Sequence, residues 1–236
     1  MLFPELHAVI LAHIRASALS KAAHVQYTAQ KCFRLRERML VSAAVCREDA
    51  QTLSLVLNRQ YRLVKYLSKH DDDGSRDTGH KPLLKLTREQ YDQTGRIQVQ
   101  LSGVAGELTV SADSLLFTLL KAQHYQWRDR LYVAILTAQV EEMMIDESEC
   151  TLTRWIQGEG MQRFQSLQGF RALEACHRRV HDVSRGLFER KLASFSPQTL
   201  RDTLHRTEEA SQQLIVALDS LDEQVGRSRP SGIQSG

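Results

Sequence analysis

The chain has 236 residues, 42% of them apolar and 25% charged, which is enough for one or two domains with a real hydrophobic core and too apolar for wholesale disorder. Its 31 basic and 28 acidic residues leave a net charge of +3, too even a balance to make a polyanion the expected partner, so nucleic acid is set aside. Aromatic residues at 6% argue against a many-stranded sandwich or barrel, and only four prolines (Pro4, Pro82, Pro197, Pro230) and twelve glycines interrupt the chain, so the expected class is all-α.

The opening MLFPELHAVILAHIRASA lacks the basic start of a secretory signal and places Glu5, His7 and His13 inside what would be its apolar core, so it reads as an amphipathic helix. No Pro or Gly occurs between residues 5 and 69. There Leu53, Val56, Leu63 and Leu67, with Gln60 between, follow a 3-4-3-4 helical stripe, and residues 1–70 are expected to form one or two long helices. The cations of this region (Arg34, Arg36, Arg38, Arg47, Arg59, Arg62, Lys65, Lys69) are irregularly spaced with few aromatics between them, the pattern of a solvated helix face. Residues 71–82, within HDDDGSRDTGHKP, read as an exposed linker and a domain boundary. Residues 83–113 are ambiguous. LLKLTREQYDQ is helical in character, whereas RIQVQLSGVAGELTV alternates briefly and contains Gly95, Gly103 and Gly106. A short hairpin competes there with a helical connector, and the connector is preferred because its neighbours are helical.

From Ser111 to about Leu192 the pattern is helical, with interruptions near MIDESEC (144–150) and at Gly158 and Gly160, which implies two or three antiparallel helices. Beyond Pro197, the residues Leu200, Leu204, Leu214, Leu218, Leu221 and Val225 stand four and three apart, with Thr207 and Ser211 at the two weak steps. This predicts a bundle-packing helix over 196–226, followed by a disordered tail at 227–236. No run approaches the roughly 18–20 consecutive apolar residues of a membrane span. Four cysteines (Cys32, Cys46, Cys150, Cys176) are too few for a disulfide scaffold, and the expected location is cytoplasmic.

The residues able to carry chemistry are His124 in KAQHYQWRDRL, Cys150 in ESECTLTRWIQGEG, and His177 and His181 in ACHRRVHDV. Zinc prefers imidazole nitrogen and thiolate sulfur, and two histidines four apart on a helix share a face. Three imidazoles and a thiolate would fill a tetrahedral shell and leave no open position for water, which disfavours a hydrolase, and no enzyme activity is expected. Glu147, Glu149 and Glu159 near Cys150 read as a solvated acidic cluster rather than a general base.

At these residues a family resemblance appears. The segment from about Ser114 to Leu187 resembles the chemoreceptor zinc-binding domain of bacterial signalling proteins through His124 followed by Trp127 and Arg128, CTLTRW beginning at Cys150, the trailing WIQGEG, and the closing HRRVH of His177 and His181. The resemblance implies a four-helix bundle, assigned to residues 114–195 and flanked by long N-terminal and C-terminal helices, holding zinc through His124, Cys150, His177 and His181. It also implies a regulatory module, often a homodimer, attached to chemoreceptors or to enzymes of cyclic-di-GMP synthesis and responsive to zinc or to oxidation of the zinc-bound cysteine. The family glycine after Leu152 is Thr153 here. Neither a chemoreceptor signalling hairpin nor a cyclase motif is evident, so a stand-alone sensor or adaptor is expected.

Three functions follow from this reading: a zinc sensor in chemotaxis or cyclic-di-GMP signalling, a hypochlorous acid sensor working through Cys150, and a structural helical adaptor without a working site. Proton competition for the ligands predicts weaker metal binding as pH falls. Cys176, next to His177, points about 100° away on a helix and reads as packing, as do Trp127 and Trp155. Cys32 and Cys46 lack histidine partners at ligand spacing and read as buried thiols.

Overall fold

The computed structural model describes residues 4–71, 80–137, 150–188 and 194–227. Among them the protein is all-α, with no strand. The elements are α1 (Pro4–Asp71), α2 (His80–Leu136), α3 (Thr151–Trp155), a π-helical segment (Ile156–Gly160), α4 (Met161–Phe164), α5 (Gln168–Phe188) and α6 (Pro197–Arg227). Most of the expected linker, the MIDESEC break before Cys150 and nearly all of the expected tail lie outside the described residues. The ambiguous region 83–113 is wholly helical, part of a 57-residue α2. Within Lys81–Leu136 an 18-residue window reaches a mean hydropathy of 1.3, apolar enough by length and composition to cross a bilayer, and 39% of it is buried against protein.

The helices fall into two compact units, one of Leu35–Ala112 and the other of the residues up to Arg34 and from Asp113 onward. In the Leu35–Ala112 unit the two chain segments are antiparallel. Arg47 bonds Thr109, Gly95 abuts Leu57, Tyr61 meets Tyr91 and Arg88 bonds Ser68, so numbers rise along one helix as they fall along the other. The seam on the first segment runs through Ala43, Cys46, Ala50, Leu53, Leu57, Gln60, Val64 and Leu67, all buried or half-buried. Its partner seam runs through Leu84, Thr87, Tyr91, Thr94, Gln98, Leu101, Ala105, Leu108 and Ala112. Both alternate steps of three and four, the repeat of a left-handed coiled coil, and the alanines allow close backbone approach. The sequence stripe is therefore corrected at two steps: Val56 and Leu63 are exposed, and Leu57 and Val64 take their places. Both phases carry apolar residues; the register of the partner helix selects one.

The second unit holds the main core. Leu116, Phe117 and Leu120 of α2, Leu152, Trp155, Ile156 and Phe164 of the α3–α4 segment, Phe170, Leu173 and Val180 of α5, and Ala210, Leu214, Leu218 and Leu221 of α6 form one apolar cluster. Four helical segments thus share one core, compatible with a four-helix bundle. On α5 the buried positions Phe170, Leu173, His177, Val180, Ser184 and Leu187 alternate steps of three and four, which puts His177 on the inward seam. Ser196 caps α6 by accepting a hydrogen bond from the Thr199 N–H at 3.1 Å, with Pro197 in the first helical position, where its missing N–H costs nothing.

The turn that carries the aromatic core depends on Gly160. A Cβ there would lie 2.9 Å from Phe170 Cε2, 2.9 Å from the Trp155 carbonyl oxygen and 3.2 Å from Trp155 Cε3. Gly160→Ala should therefore destabilise the protein by about 1–3 kcal/mol through overpacking. Gly186→Ala, in α5 with nothing within 4 Å of its Cβ, should be neutral or stabilising by up to about 1 kcal/mol. Thermal denaturation of the two variants measures both effects.

Candidate metal centre

Cys150 caps the start of α3 in an extended conformation (φ −63°, ψ 124°). Its sulfur lies 3.5 Å from Nε2 of His177. His177 and His181, one turn apart on α5, bring their Nε2 atoms within 3.1 Å, with ring centroids 4.6 Å apart and planes at 84°. The ligand atoms of Cys150, His177 and His181 all lie within 4.8 Å of one another, and among the described residues this is the one such cluster of three or more His, Cys, Asp or Glu side chains.

The donor chemistry suits a soft or borderline divalent cation. Burial alone would push the Cys150 thiol up, but hydrogen bonds from His177 and His181 and from the Thr153 backbone outweigh it and bring the thiol down to about 5. The sulfur is then thiolate at neutral pH, the form that binds metal. Thr153 lies inside α3 in a regular helical turn, so the local fold accepts a side chain there. Its hydroxyl is buried without a hydrogen-bond partner among the described residues.

His124 is buried on the inward face of α2 but stands outside the three-residue cluster. Its Nε2 is 2.8 Å from the Ser211 hydroxyl of α6, and its ring stacks on Trp127 with centroids 5.6 Å apart. Burial, then the charges of Arg128, His177 and His181, lower its pKa to about 4 and keep it a neutral imidazole, the ligating form. Arg128, one turn further along α2, bonds Glu208 at 2.7 Å, and the Tyr132 hydroxyl donates to the same carboxylate at 2.6 Å. Burial and the hydrogen bond to Glu208 push Tyr132 up to about 12, while the Tyr132 hydroxyl and the Arg128 charge hold Glu208 below its usual range.

Of the other sequence candidates, Glu159 forms an ion pair with Arg163 at 2.6 Å, and Glu147 and Glu149 lie outside the described residues. Cys176 is half-buried against the apolar core, and Trp155 sits within it, edge-on to Phe117 with centroids 5.8 Å apart. Cys32 and Cys46 are half-buried free thiols. Sequence reasoning did not single out Ser211, Glu208 or Tyr132 as neighbours of the site. The one available signal was the break in the apolar stripe of α6 at Thr207 and Ser211.

Residues 124–187 match the family model described as the chemoreceptor zinc-binding domain. No curated protein and no solved structure matches the chain. The matched segment begins at His124 and contains Cys150, His177 and His181. Residues 124–187 are thus similar to the chemoreceptor zinc-binding domain, a signalling rather than a catalytic family, and contain a cysteine–histidine group able to hold a metal.

Proposed function

We propose that this chain is a bacterial regulatory protein that senses zinc through His124, Cys150, His177 and His181 and relays the metal state to a protein partner. The observation that carries the reading is the convergence of one thiolate and two imidazoles within 4.8 Å inside the matched segment. Bound there, zinc would tie the start of α3 to α5, and with His124 also to α2, so that metal occupancy sets the relative freedom of helices that otherwise pack only through side chains. A homodimer acting in the cytoplasm on a chemoreceptor or a cyclic-di-GMP enzyme is the setting that the family supports. Four protein ligands leave no vacancy for a substrate, in keeping with a regulatory rather than an enzymatic role.

The low thiol pKa favours a second, linked reading in which Cys150 is the sensing atom. Hypochlorous acid would transfer oxygen to the thiolate: an S–O bond forms, chloride departs, and the resulting sulfenic acid is a poor metal ligand.

Purified protein should bind one zinc per chain. Single Ala substitutions at Cys150, His177, His181 and His124 should each weaken binding by more than the roughly 10- to 100-fold typical of an outer-shell partner. Titration against a chromophoric chelator measures this, and unchanged affinity in all four variants would contradict the reading.

The thiol makes a separate prediction. A pKa brought down to about 5 means that the thiolate persists as pH falls from 9 and disappears only through about pH 5. In metal-free protein, iodoacetamide should therefore label Cys150 at a nearly constant rate between pH 8 and 6 and more slowly toward pH 5. Mild hypochlorous acid should oxidise Cys150 before Cys32 or Cys46, as peptide mass spectrometry would show; equal oxidation of all three would remove the redox reading.

A further inference from the structure

His124 is the one proposed ligand that does not stand with the others, and the structure shows what holds it. Its Nε2 shares a hydrogen bond with Ser211 Oγ at 2.8 Å, with His124 only 9% exposed and Ser211 fully buried. Ser211 belongs to α6, outside the segment matched to the family. An imidazole nitrogen offers one lone pair or one proton, so a nitrogen engaged with a hydroxyl is not free to bind a metal at the same time. We infer that Ser211 competes with the metal for Nε2 of His124, so that the fourth ligand is a latch between α2 and α6 that opens when the centre fills. This inference rests on the four-ligand reading proposed above and adds the route by which metal state reaches α6.

The surroundings of Ser211 provide for the exchange. Releasing His124 would strand a buried hydroxyl, a costly outcome if no other partner were at hand. Arg128 Nη1 lies 3.5 Å from the same Ser211 Oγ and remains as its donor. That guanidinium is also held by Glu208, three residues before Ser211 on α6, and Glu208 accepts from Tyr132. The change at Ser211 is therefore made beside the polar clamp that fastens α2 to α6, where a shift of Arg128 toward the hydroxyl alters the hold on Glu208.

The test is zinc titration of the full chain against a chromophoric chelator for wild type, Ser211→Ala, His124→Ala and the double variant. Removing a competing neutral hydrogen bond should tighten zinc binding by roughly three- to tenfold in S211A. In the H124A background the Ser211 change should have no effect, because there is no latch left to open. If H124A weakens binding while S211A leaves it unchanged or weaker, the competition is wrong, and the weaker outcome would make Ser211 a supporting partner of a His124 bound through Nδ1. If H124A itself leaves affinity unchanged, the four-ligand reading fails along with the latch. Histidine side-chain 15N spectra of unmutated protein give a second readout that does not depend on the variants folding: Nε2 of His124, and not Nδ1, should move into the metal-bound range on zinc addition, and movement of Nδ1 instead would overturn the inference.

Discussion

One imidazole is forced into the interior of a helical unit by the packing repeat of its helix, and a second imidazole and a thiol gather around it. On α5 the inward seam alternates steps of three and four from Phe170 to Leu187, and His177 occupies one of those steps between Leu173 and Val180. A side chain at that place is buried whatever its chemistry, and an unpartnered imidazole in an apolar core is costly. Its partners are His181, one turn on, and Cys150, which the start of α3 presents to it. The group is thus a polar patch at the edge of a core of Leu, Phe and Trp side chains, strongly specifying when its members satisfy one another or share an ion.

The same cluster explains why the segment around Cys150 is built as it is. Trp155 and Phe164 anchor the α3–α4 segment in the core against Phe117 and Phe170, and Gly160 lets Trp155 and Phe170 meet. These aromatic contacts fix the start of α3, and hence the sulfur, against both α2 and α5. Thr153 sits in a regular helical turn, and its backbone N–H favours the thiolate.

Much of this was legible in the sequence. The pair His177 and His181 announces a shared helix face by spacing alone, and the α6 stripe from Leu200 to Val225 was readable because Leu dominates it. The all-α class followed from the scarcity of helix breakers. Other features were hidden for physical reasons. Residues 83–113 alternate briefly and contain three glycines, yet they are helical because a coiled-coil seam of steps three and four runs through them, with Gly95 close against Leu57. The Leu53–Leu67 stripe offered two phases, since apolar residues flank both, and only the partner helix distinguishes them. At the site, sequence could place His124 on the apolar face of its helix but could not show that its nearest partner is Ser211, a residue 87 positions away that looked like a weak step in a stripe. Polar residues that interrupt an otherwise apolar seam are where such long-range partners are found.

The central claim is that one sulfur and three nitrogens from this chain share one zinc ion. X-ray absorption at the zinc edge of the loaded protein tests it most directly. The account predicts a four-coordinate spectrum fitted by one sulfur at about 2.3 Å and three imidazole nitrogens at about 2.0 Å. A shell of nitrogen and oxygen without sulfur, or one with two or more sulfurs, would contradict it.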